Sequence, residues 1–183
     1  VSKEIPDSCV YSTLICALAR SETPNAATRA HNTHQKMRKT AFENQSQLEK
    51  FLPDSKTYRD VIKAFIKEGK AKEATRLLHQ MLDDYESDKK RFPAPDGYCT
   101  GVVLRGWEAT PTQHSWKQAC SVFERLDATP IGIKDYSHPL PVRTKHCYES
   151  MISIAKQLAL LDQVTLLQGS LAKELKTRKK GES

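Results

Sequence analysis

Residues 53–81 read PDSKTYRDVIKAFIKEGKAKEATRLLHQM, and this stretch predicts two short amphipathic helices joined by one glycine turn. In its first half, apolar residues recur at the three- and four-residue spacing of a helix: Tyr58, Val61, Ile62, Phe65 and Ile66. The second half repeats that spacing at Ala74, Leu77, Leu78 and Met81. Gly69 lies between the halves, where glycine readily adopts the left-handed conformation that ends a helix. Neither helix buries its apolar stripe alone, so each must pack on the other and on further units.

Weaker copies of this helix pair occur along the chain, and such recurrence predicts an all-α fold of stacked hairpins, an α-solenoid. Four units fit, at about residues 6–37, 53–85, 95–127 and 144–172. Their equivalent positions Tyr11, Tyr58, Thr100 and Tyr148 lie 47, 42 and 48 residues apart. The units therefore leave insertions at 38–52, 86–94 and 128–143, and a basic C-terminal tail at 173–183.

The insertions differ in character. Residues 38–51 keep helical character, with Phe42, Leu48 and Phe51 as apolar anchors, whereas 128–143 holds three prolines and is not expected to be helical. Loops of this length are uncommon in compact arrays and usually contact a partner or are ordered by one. They indicate a protein that belongs to a larger assembly.

Composition narrows the class of protein. A chain of 183 residues fits one domain, and it contains no apolar run of the length that spans a membrane. The chain begins at Val1, which is compatible with removal of a transit peptide or with trimming. The net charge of +7 favours a polyanionic partner, although it does not require one. Much of this charge is in the tail, which is either a solvated end or a phosphate-seeking arm: Lys173, Lys176, Arg178, Lys179 and Lys180.

No catalytic, cofactor or metal site is expected. Gly69-Lys70 lacks the remaining residues of a phosphate-binding loop, and no nucleophile has its base at a recognisable spacing. The cysteines form no Cys-x-x-Cys pair, so they are expected to be reduced and mostly packed. His31 and His34 match no zinc-ligand spacing with Cys9 or Cys16, and we expect these histidines on a helix surface. The chain is predicted not to be an enzyme.

A family resemblance adds to this interpretation. Residues 53–81 match Pro-Asp-x3-Tyr-x3-Ile-x-Ala-x2-Lys-x-Gly-Lys-x2-Glu-Ala-x2-Leu-Leu-x2-Met, which resembles the pentatricopeptide repeat. The match is good over 6–20 and 95–126 and weak over 144–172, and the insertions depart from the family's repeat of roughly 35 residues. The resemblance implies a right-handed α-solenoid that binds single-stranded RNA in mitochondria or chloroplasts. The related tetratricopeptide repeat binds peptides. The Pro-Asp before the tyrosine and the Gly-Lys turn fit the pentatricopeptide pattern better than the tetratricopeptide pattern.

The resemblance also implies base-reading positions: the residue after the tyrosine, together with the residue after the proline ahead of the next unit. Ser12 and Asp54 resemble the family's guanine-preferring pair, whereas Arg59 departs from the pattern and could pair with Asp96 instead. Gly101, paired with about Thr144, has no side chain for reading a base, and Glu149 begins a unit that has no successor. Programmed readout of an RNA sequence is therefore not expected.

Two further sets of residues are candidates for RNA contact. The positions that would flank a base are Cys9, Lys56, Tyr98 and His146, of which Tyr98 and His146 could stack on one. Cations on the first helices would suit phosphate contacts without sequence preference: Lys56, Arg59, Lys63, Lys67, Arg20 and Arg105. Packing and a solvated charged face account for both sets about equally well.

The sequence thus favours a non-catalytic RNA-binding or scaffold subunit of an organellar ribonucleoprotein, most naturally a mitochondrial ribosome. Its partners would be single-stranded or ribosomal RNA and neighbouring protein subunits, with no membrane insertion and no small-molecule substrate. Leu14, Leu18, Leu167 and Leu171 on the end helices need covering, which also favours an assembly. The alternatives are a protein–protein scaffold without RNA contact and a fragment of a longer organellar RNA-processing factor.

Overall fold

The computed structural model describes residues 6–43, 51–128 and 144–181, which form α-helices and no β-strand. The helices are α1 (Ser8–Arg20), α2 (Ala26–Glu43), α3 (Ser55–Lys67), α4 (Ala71–Ser87), α5 (Gly97–Glu108), α6 (Gln113–Ala128), α7 (Lys145–Gln157) and α8 (Leu161–Gly181). The expected all-α fold is confirmed. The right-handed solenoid of pentatricopeptide type remains a prediction.

Each odd-numbered helix begins at an equivalent cap. The Asp7, Asp54 and Asp96 carboxylates accept the backbone N–H of the third helical residue, at 3.0, 2.7 and 2.8 Å. Such a cap satisfies an N–H that has no partner within the helix and contributes about 1 kcal/mol. Thr144 precedes α7 in the same register but makes no side-chain cap.

The turns between paired helices use a left-handed residue. Gly69 has φ +70° between α3 and α4, as the sequence predicts. Ala159 has φ +55° at the equivalent place between α7 and α8, although alanine has a Cβ that disfavours this conformation.

The helices pack in chain order. Each odd-numbered helix packs on the next odd-numbered one, so that α1, α3, α5 and α7 form a continuous row. Each even-numbered helix packs on its own partner, and α2, α4 and α6 also pack on the odd-numbered helix that follows. Gly106 lets α5 approach closely, because a Cβ there would lie 2.3 Å from Ile66 Cδ1 and 3.3 Å from Ala71 Cβ. One hydrophobic cluster follows this row from Tyr11 to Ile154.

The prediction that His31 and His34 lie on a surface is wrong for His34. Its side chain is fully buried, its ring meets the Tyr58 ring edge-on at 4.6 Å, and neither ring nitrogen has a hydrogen-bond partner. Burial, with smaller contributions from Arg38 and His31, lowers the pKa of His34 to about 3. His31 is half-buried against Phe65. Four of the six other buried residues of α2 are alanines, which allows the neighbouring helices to approach closely around His34.

Polar bridges link the even-numbered helices. Arg38 of α2 donates to both carboxylate oxygens of Asp84 of α4, at 2.6 and 2.8 Å, and Tyr58 donates its hydroxyl to the same carboxylate at 2.8 Å. Arg125 of α6 contacts Asp83 and Glu86 of α4. Between α5 and α4, Trp107 Nε1 donates a hydrogen bond to Thr75 Oγ1 at 2.9 Å.

Two helices extend beyond the expected repeat boundaries. α2 continues through residues 38–43, where the sequence contains no helix breaker, and α8 continues to Gly181 through residues assigned to the tail. Leu167, Leu171 and Leu175 carry the helical spacing of α8 past residue 172. Residues 44–50, including Leu48, and the proline-containing 129–143 lie outside the described residues. Among the described helices, none is both long and apolar enough to cross a lipid bilayer.

Candidate nucleic-acid interface

The predicted base-reading residues lie at the N-terminal ends of the odd-numbered helices. Ser12 Oγ and Thr57 Oγ1 are 3.2 Å apart, and Thr57 donates its hydroxyl to Asp54 Oδ1 at 2.6 Å. Ser12 and Asp54 are thus joined through Thr57, which the sequence did not single out. Because Asp54 Oδ1 also accepts the Thr57 N–H, one oxygen of this carboxylate is committed to the cap. A ligand would have to compete with these bonds or use the other oxygen.

Arg59 makes the alternative contact considered from the sequence. Its guanidinium lies 3.7 Å from Asp96 Oδ2, and its Cζ lies 5.9 Å from the centre of the Tyr98 ring. Lys63 Nζ is closer to the same ring, at 4.9 Å. Tyr98 remains 42% exposed between these cations. Each such cation–ring contact contributes about 0.5–1 kcal/mol at an exposed site, so both hold the ring in place with a face toward solvent.

A cleft of about 230 Å³ lies between α5 and α7, beside this ring. Its walls combine residues predicted separately as readers, stackers and cations: Asp96, Gly97, Tyr98, Gly101, Arg105, Thr144 and His146. Gly101 forms its floor, since a Cβ there would meet only Cys147 Sγ, at 4.0 Å. Gly101 has no side chain with which to read a base, and for the same reason it leaves this cleft open. The cleft is smaller than typical small-molecule pockets of roughly 300–1,000 Å³, so it suits one flat group.

The charged side chains that line the cleft are Arg105 and Asp96, and the start of α7 lies beside them. His146 Nδ1 lies 3.0 Å from Glu149, which Lys145 also contacts, and the Lys145 hydrogen bond is the largest cause of a lowered Glu149 pKa. Thr144 supplies no carboxylate to the first turn of α7. The partial positive charge of that helix terminus is therefore less compensated than at α3 and α5, which begin with Asp54 and Asp96.

The six predicted phosphate-contacting cations divide into two groups. Three have carboxylate partners: Lys56 with Asp60 at 3.0 Å, Lys67 with Glu22, and Arg59 with Asp96. The Asp60 hydrogen bond is the main cause of a raised Lys56 pKa. Arg20, Lys63 and Arg105 have no carboxylate partner among the described residues. These three define the cationic row of the interface, on α1, α3 and α5.

The basic tail residues lie elsewhere, on α8, which packs on α7. Lys173 and Lys176 are exposed in its last described turns, whereas Arg178, Lys179 and Lys180 belong to the helix but their side chains lie outside the described residues. The structure therefore brings Tyr98, Arg105, Asp96 and His146 together, and neither Lys173 nor Lys176, the tail cations whose side chains are described, lines that cleft.

The cysteines make no disulfide, and two of them pack at the equivalent third position of an odd-numbered helix. Cys99 and Cys147 are fully buried, and burial, more than the nearby Asp96, raises the pKa of Cys99. Cys9 is exposed on α1. Within the described ranges, no three His, Cys, Asp or Glu side chains are grouped as a metal ion would require.

Neither a protein-family model nor a curated protein sequence matches the chain.

Proposed function

We propose that this chain is a non-catalytic, pentatricopeptide-type subunit of an organellar ribonucleoprotein that contacts single-stranded or ribosomal RNA along its odd-numbered helices. The observation that carries the proposal is the α5–α7 cleft, which is lined by the exposed Tyr98 ring and by Arg105 of the cationic row, with Lys63 over the same ring. An RNA base has a flat apolar face and a charged backbone, and this surface offers an aromatic ring and unpaired cations at one place. The packing of odd-numbered helices in chain order supports a right-handed solenoid of stacked hairpins.

The expected affinity is low. Stacking contributes about 1–3 kcal/mol per base, so one cleft and one ring supply roughly 2–6 kcal/mol, a dissociation constant between tens of millimolar and tens of micromolar. The carboxylates of Asp54 and Asp96 are partly committed to caps and to Arg59, which argues against a programmed sequence. Such a surface suits a subunit held beside its RNA by other contacts. The mitochondrial ribosome is the host that the resemblance favours, ahead of a chloroplast assembly.

Binding of a fluorescent single-stranded RNA, measured by anisotropy at several salt concentrations, tests the RNA contact. Three unpaired cations give a slope of log K against log salt of roughly −2, at about −0.7 per phosphate neutralised. Lys63→Glu with Arg105→Glu is expected to weaken binding at least tenfold and flatten this slope. Tyr98→Ala is expected to weaken binding severalfold with the slope unchanged, because stacking is lost but no charge.

Lys72→Glu with Arg76→Glu is the matched control, since it makes the same charge change on exposed positions of α4. If both pairs weaken binding equally, the attraction is only the overall charge and the interface is refuted. Circular dichroism at 222 nm confirms that each variant keeps its helices. Co-purification of ribosomal RNA with the intact assembly tests the proposed host.

The rival function is a protein–protein scaffold without RNA contact. One observation favours it, which is the exposed apolar face of α1 at Val10 and Leu14. Wild-type protein that shows no salt-dependent binding to RNA would favour this rival. Readout of a defined sequence only in a longer polypeptide would instead favour a fragment of an RNA-processing factor.

A further inference from the structure

α1 exposes an apolar stripe that runs along one side of the helix. Val10 is 56% exposed and Leu14 is 47% exposed, and Ala17 on the same side is also exposed. These residues are spaced four and three apart, so they share one helix face. An exposed stripe of this kind on a helix indicates an interaction surface when the equivalent positions of the other odd-numbered helices are covered.

The equivalent positions in the later odd-numbered helices are buried. The common aspartate or threonine cap fixes the register, so Val10 corresponds to the third helical residue of each helix. At that position Thr57, Cys99 and Cys147 are at most 1% exposed. At the position of Leu14, the residues Val61, Val103 and Met151 are at most 2% exposed. α1 therefore has the same face as α3, α5 and α7, but no described helix packs on it.

The cover in those three helices is the preceding odd-numbered helix. Thr57 of α3 meets Ser12 of α1 at 3.2 Å. In α5, Gly106 admits Ile66 of α3, and in α7 Cys147 Sγ lies 3.9 Å from the Gly97 carbonyl of α5. The same geometry thus occurs three times, each time between one odd-numbered helix and the next.

The other end of the row is different. Ser12, Arg59 and Gly101 face the following helix, and the equivalent residue of α7 is Glu149, an exposed carboxylate held by Lys145 and His146. Lys156, further along the same face, is exposed as well. A polar outer face is what closes a helical array, so the row has a closing surface at α7 and a continuing one at α1.

We propose that the outer face of α1 docks a helix of a neighbouring protein, which lies along α1 as α1 lies along α3. Val10 and Leu14 cannot form hydrogen bonds or ion pairs, so the partner helix presents uncharged small and aliphatic residues at their level. This inference rests on the subunit role proposed above but not on the RNA contact.

A second copy of this chain is a poor occupant. Head-to-tail stacking would set Glu149 of one copy against Val10 of the other, burying a carboxylate on an apolar face. Pairing of two α1 helices would bury far less than the roughly 1,200 Å² of a stable specific interface. A helix that belongs to a larger partner has neither restriction.

A defined probe tests whether the face accepts a helix. Residues 6–52 are duplicated ahead of Pro6, which places a copied α1 in the 47-residue register that separates Pro6 from Pro53. Leu14→Cys in the original α1 is then labelled with a maleimide in the extended and unextended chains, and the labelled peptides are mapped by mass spectrometry. We expect labelling to slow at least tenfold in the extended chain. Equal labelling in both chains overturns the proposal.

Leu166→Cys on α8, where Leu166 is 64% exposed, is the matched control and should react equally in both chains. Thermal unfolding of the unextended Leu14→Cys protein checks that it is folded, which the partial exposure of Leu14 favours.

Photo-crosslinking in the intact assembly identifies the source of the occupant. A photoreactive residue at position 10 is expected to link to an uncharged helical segment of another polypeptide, and Leu14→Asp is expected to abolish the link. A link to another segment of the same polypeptide, a link to a second copy, or no link at all overturns the proposal. The two proposals fail separately: Leu14→Asp should retain RNA binding, whereas Lys63→Glu with Arg105→Glu should retain the crosslink.

Discussion

The buried His34 should make the stability of this protein depend on pH well above the range in which carboxylates titrate. Its ring is fully enclosed beside Tyr58, its nitrogens have no hydrogen-bond partner among the described residues, and Arg38 and His31 also oppose its protonation. The folded state therefore holds His34 neutral, with its pKa lowered from 6.5 to about 3. The unfolded chain binds a proton at His34 once the pH falls below about 6.5.

The sign and size follow from this difference. Stability is full above pH 6.5 and falls as the pH drops toward 3, because only the unfolded state gains a proton in that window. At about 1.4 kcal/mol per pH unit, the loss attributable to His34 is about 2 kcal/mol between pH 7 and 5, and about 5 kcal/mol in total. Burial also lowers the pKa of His31 and His79, which adds a loss of the same sign.

Urea unfolding followed by circular dichroism at pH 7, 6 and 5 measures this loss. Hydrogen bonds lower the pKa of Glu68 and of Glu149 from 4.5, so the stability that these carboxylates contribute is lost as the pH falls through about 4.5 and below, and little of it is lost between pH 7 and 5. His34→Leu should keep stability at pH 7 within about 1.5 kcal/mol, since the volume is similar, and should lose most of the slope. His146→Gln, at an exposed position on α7, should keep the wild-type slope. If His34→Leu retains the wild-type slope, the assignment to His34 is refuted.

Three further predictions concern the helices that position the interface. Ala159→Gly should raise the free energy of unfolding by about 1 kcal/mol, because the residue at φ +55° no longer strains a Cβ; Ala155→Gly, within helical α7, should lower it in the same urea titration. Gly101→Ala should leave the free energy of unfolding unchanged or raise it, whereas the Gly106→Ala protein should be less stable than the Gly101→Ala protein by at least about 1 kcal/mol, because Ile66 must move. Equal unfolding temperatures of the two variants would contradict this. Asp84→Ala should lower the free energy of unfolding by about 3 kcal/mol, because it leaves Arg38 without its carboxylate partner. The double change Arg38→Met with Asp84→Leu should lower it less, which a double-mutant cycle in urea measures.

The sequence was sufficient for the helices and their caps because both are local. Residues 53–81 carry a cap, a stripe, a turn and a second stripe within one stretch, so α3 and α4 could be placed without knowing the rest of the chain. The contact of Arg59 with Asp96 could be considered because the repeat pattern pairs the residue after the tyrosine of one unit with the residue after the proline of the next. The ion pair of Lys56 with Asp60 spans one helical turn and is equally local.

What the sequence could not supply depends on packing between distant segments. The face of α2 contains alanines and two histidines, a weak apolar pattern, so nothing local shows that His34 is enclosed by Tyr58. Lys67 pairs with Glu22 from the preceding unit, which removes one of the cations expected to be available. The cleft forms because Tyr98 and Thr144 lie on opposite walls with Gly101 between them. From the sequence alone, Gly101 indicated only that this unit has no side chain for reading a base.

The distribution of polar contacts separates stability from binding in this fold. Ion pairs that cross between even-numbered helices, such as Arg38 with Asp84 and Arg125 with Asp83, tie units together away from the cleft. On the odd-numbered helices, Lys63 and Arg105 lie beside an exposed ring, and no carboxylate in the described part of the chain pairs with them. Because an unpaired surface cation contributes little to folding, changes at the row should alter RNA binding with little effect on the free energy of unfolding. Changes at Asp84 should do the reverse, so a variant set that moves both quantities together would show that the cleft is part of the structural core rather than a site.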